Sequence, residues 1–115
     1  MTINACKKGK AGERELAHFL REHGIEAKRG QQHAGGADSP DVRADLPGWH
    51  IECKRVENLN VHNAFAQADR DRDADKLPLV AHRRNRGEWM ATIRLSDLLK
   101  LLRTEQQEAC AGMFD

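Results

Sequence analysis

Two acids and a lysine in "SPDVRADLPGWHIECKR" (Ser39 to Arg55) have the types and spacing of a site that handles phosphate. Asp41 follows a proline, and ten residues separate it from Glu52 of the triplet Glu-Cys-Lys. Residues two apart on a strand share a face, so "WHIECKRV" sends His50, Glu52 and Lys54 one way and Trp49, Ile51 and Cys53 the other. If Asp41 opens the neighbouring strand, a hairpin brings its carboxylate alongside Glu52. Two converging carboxylates suit a hard divalent cation, which completes its shell with water and a substrate phosphate. Held there, a cation lowers the pKa of bound water and neutralises charge developing at a scissile phosphate. Lys54 can orient or help deprotonate the attacking water and contact the phosphate. Cys53 points its thiol to the core, which leaves its backbone carbonyl as a further oxygen ligand. The same charges also fit a cross-strand Glu-Lys pair on the wet face of an antiparallel sheet.

The elements that must position these residues are legible from periodicity. Residues 10–23, "KAGERELAHFLREH", place Leu16, Phe19 and Leu20 on one helical face, and Gly24 marks its end. "IEAKR", "PDVRADL" and "WHIECKRV" read as three strands, the last two joined by the turn "PG" and therefore antiparallel neighbours. Asn60 is the expected N-cap of a second helix running to about Asp75, with Val61, Ala64, Phe65 and Ala68 as its apolar stripe. "LPLVAHR" and "WMATIRL" follow as strands, and Ser96 is expected to cap a last helix, "SDLLKLLR". The order α-β-β-β-α-β-β-α describes an α/β layer fold with a mixed sheet of about five strands. Its crossover helix lets the fourth strand run parallel to an earlier one.

At 115 residues, with 39% apolar and 32% charged side chains, the chain supports one core and a heavily charged surface. We expect one domain over residues 1–103 and an acidic tail over 104–115 that lacks the apolar periodicity of an ordered element. No apolar run reaches the roughly 18 residues needed to span a bilayer, so a cytosolic protein is expected. The three cysteines, Cys6, Cys53 and Cys110, have no CxxC spacing and read as free thiols. The net charge of +1 conceals an asymmetry, because the tail contributes −3 and the remainder +4. Within that remainder "CKKGK", with Lys8 and Lys10, and "HRRNR", with Arg83, Arg84 and Arg86, are basic clusters that suit either phosphate contact or plain solvation.

"SPDV" followed by "IECKR" resembles the PD-(D/E)xK nuclease signature. "KGKAGERELAHFLREHG" is similar to the N-terminal helix of the archaeal-type and phage Holliday-junction resolvases of that superfamily. The resemblance runs from about Lys8 to Leu98 and implies a restriction-endonuclease-like core. It further implies a Mg2+-dependent endonuclease acting on branched DNA as a homodimer, with Mn2+ able to substitute. By position, Asp41 and Glu52 would be metal ligands, Lys54 the catalytic lysine and Glu13 an additional acid. At about 100° per residue Glu13 lies roughly 65° from the centre of the apolar face and Glu15 roughly 95°, so Glu13 is better placed to lean towards the sheet. Glu13 also suits the first turn of a helix on dipole grounds alone.

Gln67 resembles the polar residue that completes such sites, and Arg29 the arginine that ends the first strand. Arg83, Arg84 and Arg86 would be phosphate contacts, and Arg14, opposite the apolar stripe, a DNA or subunit contact. The family's serine-bearing loop corresponds here to the Gly-rich "GQQHAGGADS", which offers Ser39. His82 could face the site, but it reads first as a structural or surface histidine. Other readings are a nuclease for flaps, nicked duplex or single strands, and a DNA-binding relative without catalysis.

Overall fold

Two central strands covered on both faces set the architecture: Ile51 and Glu52 are adjacent and both buried on one, Val80 and Ala81 on the other. The computed structural model describes residues 2–30 and 41–114, and the side chains of residues 9–30 and 41–106. Residues 31–40, with Ser39, and the side chains of Cys6, Lys8 and Cys110 lie outside the described residues. The elements are α1 (Thr2–Glu22), β1 (Ala27–Arg29), β2 (Val42–Ala44), β3 (Trp49–Arg55), α2 (Val61–Asp71), β4 (Leu77–Arg83), β5 (Met90–Thr92) and α3 (Leu95–Phe114). They follow the expected order. The sheet is β1-β2-β3-β4-β5, antiparallel throughout except for β3 and β4, which run parallel across the α2 crossover.

On one face Leu16 and Ala17 of α1 pack with Ala27, Val42, Ile51 and Ala81, and Cys53 joins them from β3. On the other, Ala64 and Ala68 of α2 close over Val80. His50, Glu52 and Lys54 lie on the α2 side of β3, as strand alternation requires. Helix α1 reaches β3 closely because residue 12 is glycine: a Cβ there would stand 2.9 Å from Cβ of Arg55 and 3.7 Å from Sγ of Cys53. Its C-terminus closes as expected, Gly24 taking φ 81° while the Ile25 amide returns to the Leu20 carbonyl at 2.9 Å.

The strands β1, β2 and β5 are shorter than the sequence expectation, and four helix boundaries differ from it. Helix α1 begins at Thr2 rather than near Lys10. Helix α2 starts as expected, the Asn63 amide donating to Oδ1 of Asn60 at 3.0 Å, but ends at Asp71 rather than Asp75. There Arg72 leaves the helical region with ψ 153°, and its guanidinium gathers the carbonyls of Asp73, Ala74 and Lys76, which gives those groups partners outside a helix. Helix α3 begins at Leu95, so Ser96 sits inside its first turn and the Arg94 carbonyl receives the Asp97 and Leu98 amides.

That helix also continues to Phe114, through the segment read as an unstructured tail. Apolar periodicity was the wrong signal there. "TEQQEACA" is rich in Glu, Gln and Ala, which favour helix intrinsically, and an already nucleated helix gains a hydrogen bond with each added residue. Among the described side chains of α3, Asp97 alone is buried, and Leu95, Leu98, Leu99 and Leu102 stand exposed. No described helix is long and apolar enough to cross a membrane.

The Gly12 contact is open to a signed test. Helix propensity predicts that Gly→Ala stabilises by about 1 kcal/mol, whereas overpacking costs about 1–3 kcal/mol. Thermal denaturation of Gly12→Ala is expected to show a lower Tm. Gly9→Ala, where a Cβ meets nothing within 4 Å, should show a higher one.

Candidate active site

The site is assembled where β2 begins beside the middle of β3. Asp41 precedes β2, its amide donating to the Ile51 carbonyl at 3.2 Å and its Oδ2 accepting from the Cys53 amide at 2.9 Å. These two bonds hold Asp41 opposite Glu52, and the two carboxyl groups hydrogen-bond each other. Glu52 is only 2% exposed. Its Oε1 lies 3.0 Å from Nε2 of His50, a residue 1% exposed on the same strand face. Lys54 donates from Nζ to Oε1 of Gln67 at 3.0 Å, so α2 holds the amine beside the acids.

Burial, and then the Glu52 charge, push Asp41 up to about 7. Burial would raise Glu52 as well, but hydrogen bonds from His50 and Asp41 together with the Lys54 charge hold it below the ordinary carboxylate range. One proton therefore resides mainly on Asp41 while Glu52 stays ionised. Like charges this close cannot both persist in a buried site without a cation. The pair is thus a donor set suited to a hard divalent ion, whose binding would require loss of that proton.

Glu13 approaches from α1 with its Oε2 3.5 Å from Nε of Arg29. Burial and the Glu52 charge raise its pKa, outweighing Arg29, Lys10 and Arg14. Among the described residues no three His, Cys, Asp or Glu side chains form a metal-holding cluster, so Glu13 stands beside the Asp41–Glu52 pair. Burial first, then the carboxylates of Asp41, Glu13 and Glu15, push the Cys53 thiol up to about 12. A thiolate nucleophile is excluded near neutral pH, and the Cys53 backbone is what adjoins the acids.

The basic residues divide into two groups. Lys10, Arg14, Arg84 and Arg86 are exposed. Arg29 and Arg83 turn towards acids of α1 instead: Arg29 pairs with Glu13, and Arg83 lies 3.7 Å from Glu15 and over the Trp89 ring. Arg55, which sequence reasoning passed over, is 3.1 Å from Glu15 and ties β3 to α1. His82 faces Thr92 of β5 at 3.0 Å. His50 is the other residue left without a role by sequence reasoning. Its signal was its place two residues before Glu52 on one strand face.

A helix on each side of a mixed sheet, with paired acids and a lysine where two of its strands meet, defines a nuclease of the PD-(D/E)xK class. The family model for the archaeal Holliday junction resolvase (Hjc) matches residues 4–107, and the chain belongs to that family of junction-resolving endonucleases. No curated protein matches the chain. Among solved structures it is similar to the 1.6 Å structure of Archaeoglobus fulgidus Hjc, a Holliday junction resolvase from an archaeal hyperthermophile. Identity is 21% and the TM-score 0.50, over 70% of this chain and 72% of that one, a likeness that shows the fold.

The raised pKa of Asp41 has a definite sign. A carboxyl whose folded pKa exceeds its unfolded value contributes stability at low pH that is lost as pH rises through the folded value. With chelator present, the native protein is expected to lose of order 1–3 kcal/mol between about pH 4 and pH 7 from this group. Asp41→Asn removes that loss, and the difference in denaturant unfolding free energy between the two proteins across the window measures it.

Proposed function

We propose that the chain is a Mg2+-dependent endonuclease that cuts four-way DNA junctions, with Mn2+ able to substitute. The observation that carries this reading is the buried pair Asp41 and Glu52 set opposite each other across β2 and β3, with Lys54 held beside it by Gln67. Asp41, Glu52 and the Cys53 carbonyl would hold the ion, with Glu13 as an adjoining acid. When bound, such an ion supplies Lewis acidity towards the phosphate and a more acidic water.

The protein side of the chemistry belongs to named groups. The Lys54 ammonium, positioned through Gln67 Oε1, contacts a phosphate oxygen and orients the attacking water as one P–O bond forms and the other breaks. Glu13 carries a raised pKa and can hold a proton at its carboxyl beside the reacting phosphate. The Arg29 guanidinium next to it is available to that phosphate once the ion pair opens. Exposed Lys10, Arg14, Arg84 and Arg86 supply backbone contacts, which position DNA without reading its sequence.

Two symmetric cuts call for two sites related by a two-fold axis, and therefore a homodimer. The exposed leucines of α3 favour a second copy as the partner: Leu95, Leu98, Leu99 and Leu102 repeat at i, i+3, i+4 and i+7, and their own protomer leaves them uncovered. An apolar hollow of about 180 Å³, lined among others by Leu16, Phe19, Leu20 and Trp89, offers a matching surface. Leu98→Asp combined with Leu102→Asp is expected to shift sedimentation from dimer to monomer while leaving circular dichroism unchanged. A native protein that sediments as a monomer would overturn the dimer.

Asp41→Ala, Glu52→Ala and Lys54→Ala are each expected to lower junction cleavage by about 10³-fold or more, while junction binding in gel shift is retained. Parallel assays on junction, flap, nicked duplex and single-stranded DNA check the substrate. Paired symmetric cuts confined to the junction support a resolvase, and preferential flap cutting would move the reading to another branched structure. An Asp41→Ala enzyme of native rate would remove the site.

A further inference from the structure

His50 is the one fully buried polar side chain at the site to which the proposed chemistry gives no part. Its ring is 1% exposed, it stands two residues before Glu52 on the same face of β3, and its Nε2 lies 3.0 Å from Glu52 Oε1. A carboxylate oxygen at 3.0 Å is the acceptor of this contact, which assigns the facing His50 nitrogen as the donor. The partner thus fixes which ring nitrogen is protonated. It also fixes the carboxylate, because the terminal torsion of a glutamate is intrinsically broad and a buried donor against one oxygen selects its orientation.

The direction of that selection is what matters. With Oε1 engaged by His50, the other oxygen of Glu52 is the one left for Asp41 and for a cation. Sequence position gives no such information for an ordinary strand residue: an apolar side chain at residue 50 would fill the same volume and leave Glu52 free to rotate. Removing the imidazole would also leave Glu52 Oε1 buried without a partner, a costly condition for an ionised group. The rotamer would then turn to recover one.

We propose that His50 is a positioning residue for the cation site, its Nε2 donation to Glu52 Oε1 aiming the second oxygen of that carboxylate towards Asp41 and so setting how tightly a divalent cation is held. This rests on the reading of Asp41 and Glu52 as metal ligands. Donors that orient a metal ligand in this way typically alter metal affinity by about 10–100-fold when removed.

The test is Mn2+ binding to the full chain without DNA, followed by the electron paramagnetic resonance signal of free Mn2+. The proteins compared are the native chain, His50→Leu, His50→Asn and His50→Gln. His50→Leu is expected to bind Mn2+ about 10–100-fold more weakly. His50→Gln, whose amide reaches about as far as Nε2, should stay within a few fold of native, and the shorter His50→Asn should not. The Mn2+ concentration for half-maximal junction cleavage should rise in the same order, with unfolding midpoints reported beside it. If His50→Leu does not fold, the contrast between Gln and Asn decides. Equal affinities across the folded variants would overturn the positioning role while leaving the metal site in place. A native chain that takes up no Mn2+ would overturn the metal site itself, and the role of His50 with it.

Discussion

Glu52 is an ionised side chain 2% exposed on the central strand of the sheet, and much of the surrounding structure answers that condition. An unpaired buried carboxylate costs several kcal/mol and would protonate or be excluded from the core. Here it accepts from His50, shares a proton with Asp41 and lies near the Lys54 ammonium. Asp41 in turn is held by the Cys53 amide, and Lys54 by Gln67. The compensating groups come from three places in the fold: Asp41 just before β2, three residues of β3, and Gln67 of α2. Separating any of these elements would leave a charge stranded, so the site and the packing of its elements stand or fall together.

The approach of α1 to β3 adds the other half of the arrangement. Gly12 allows the helix to touch Arg55 and Cys53, and the next residue, Glu13, is thereby brought into the field of Glu52. Glu15, two residues on, meets Arg55 and Arg83 and locks the helix to the ends of β3 and β4. Neighbouring acids on one helix thus divide their work, Glu13 towards the site and Glu15 towards the frame. Arginines that a charge count assigns to DNA are partly engaged in that frame, which leaves Lys10, Arg14, Arg84 and Arg86 as the exposed basic groups. A modest net charge of +1 is compatible with a phosphate-binding surface because the charge is unevenly placed, −3 on residues 104–115 and +4 on the remainder.

Helix α3 obeys different physics from the rest of the chain. Among the described residues it carries most of the exposed large apolar side chains, its leucines, with Val56 and Met90 the others. Its described anchorage is at its start, where Asp97 is buried and Arg94 reaches Asp69 at 2.8 Å and lies over the Phe65 ring. This exposed leucine stripe is the feature on which the proposed dimer rests.

How much of this the sequence carried depends on the range of the interaction concerned. Element order, the hairpin before Glu52 and the common face of His50, Glu52 and Lys54 follow from periods of 2 and 3.6 residues, which are local properties of the backbone. The proximity of Asp41, Glu52 and Lys54 was legible for the same reason, since one short turn brings them together. What the tertiary structure alone decided was which charges meet across elements: Gln67 with Lys54, Arg29 with Glu13, Arg83 and Arg55 with Glu15. It also decided that Glu52 is buried rather than on a wet face, because that depends on whether a helix covers the strand. Helix ends at Arg72 and beyond Arg103 were set by backbone hydrogen bonding and propensity, which an apolar pattern does not report. His50 lay in plain view on the right face, and only the distance to Glu52 Oε1, a consequence of burial, gave it a purpose.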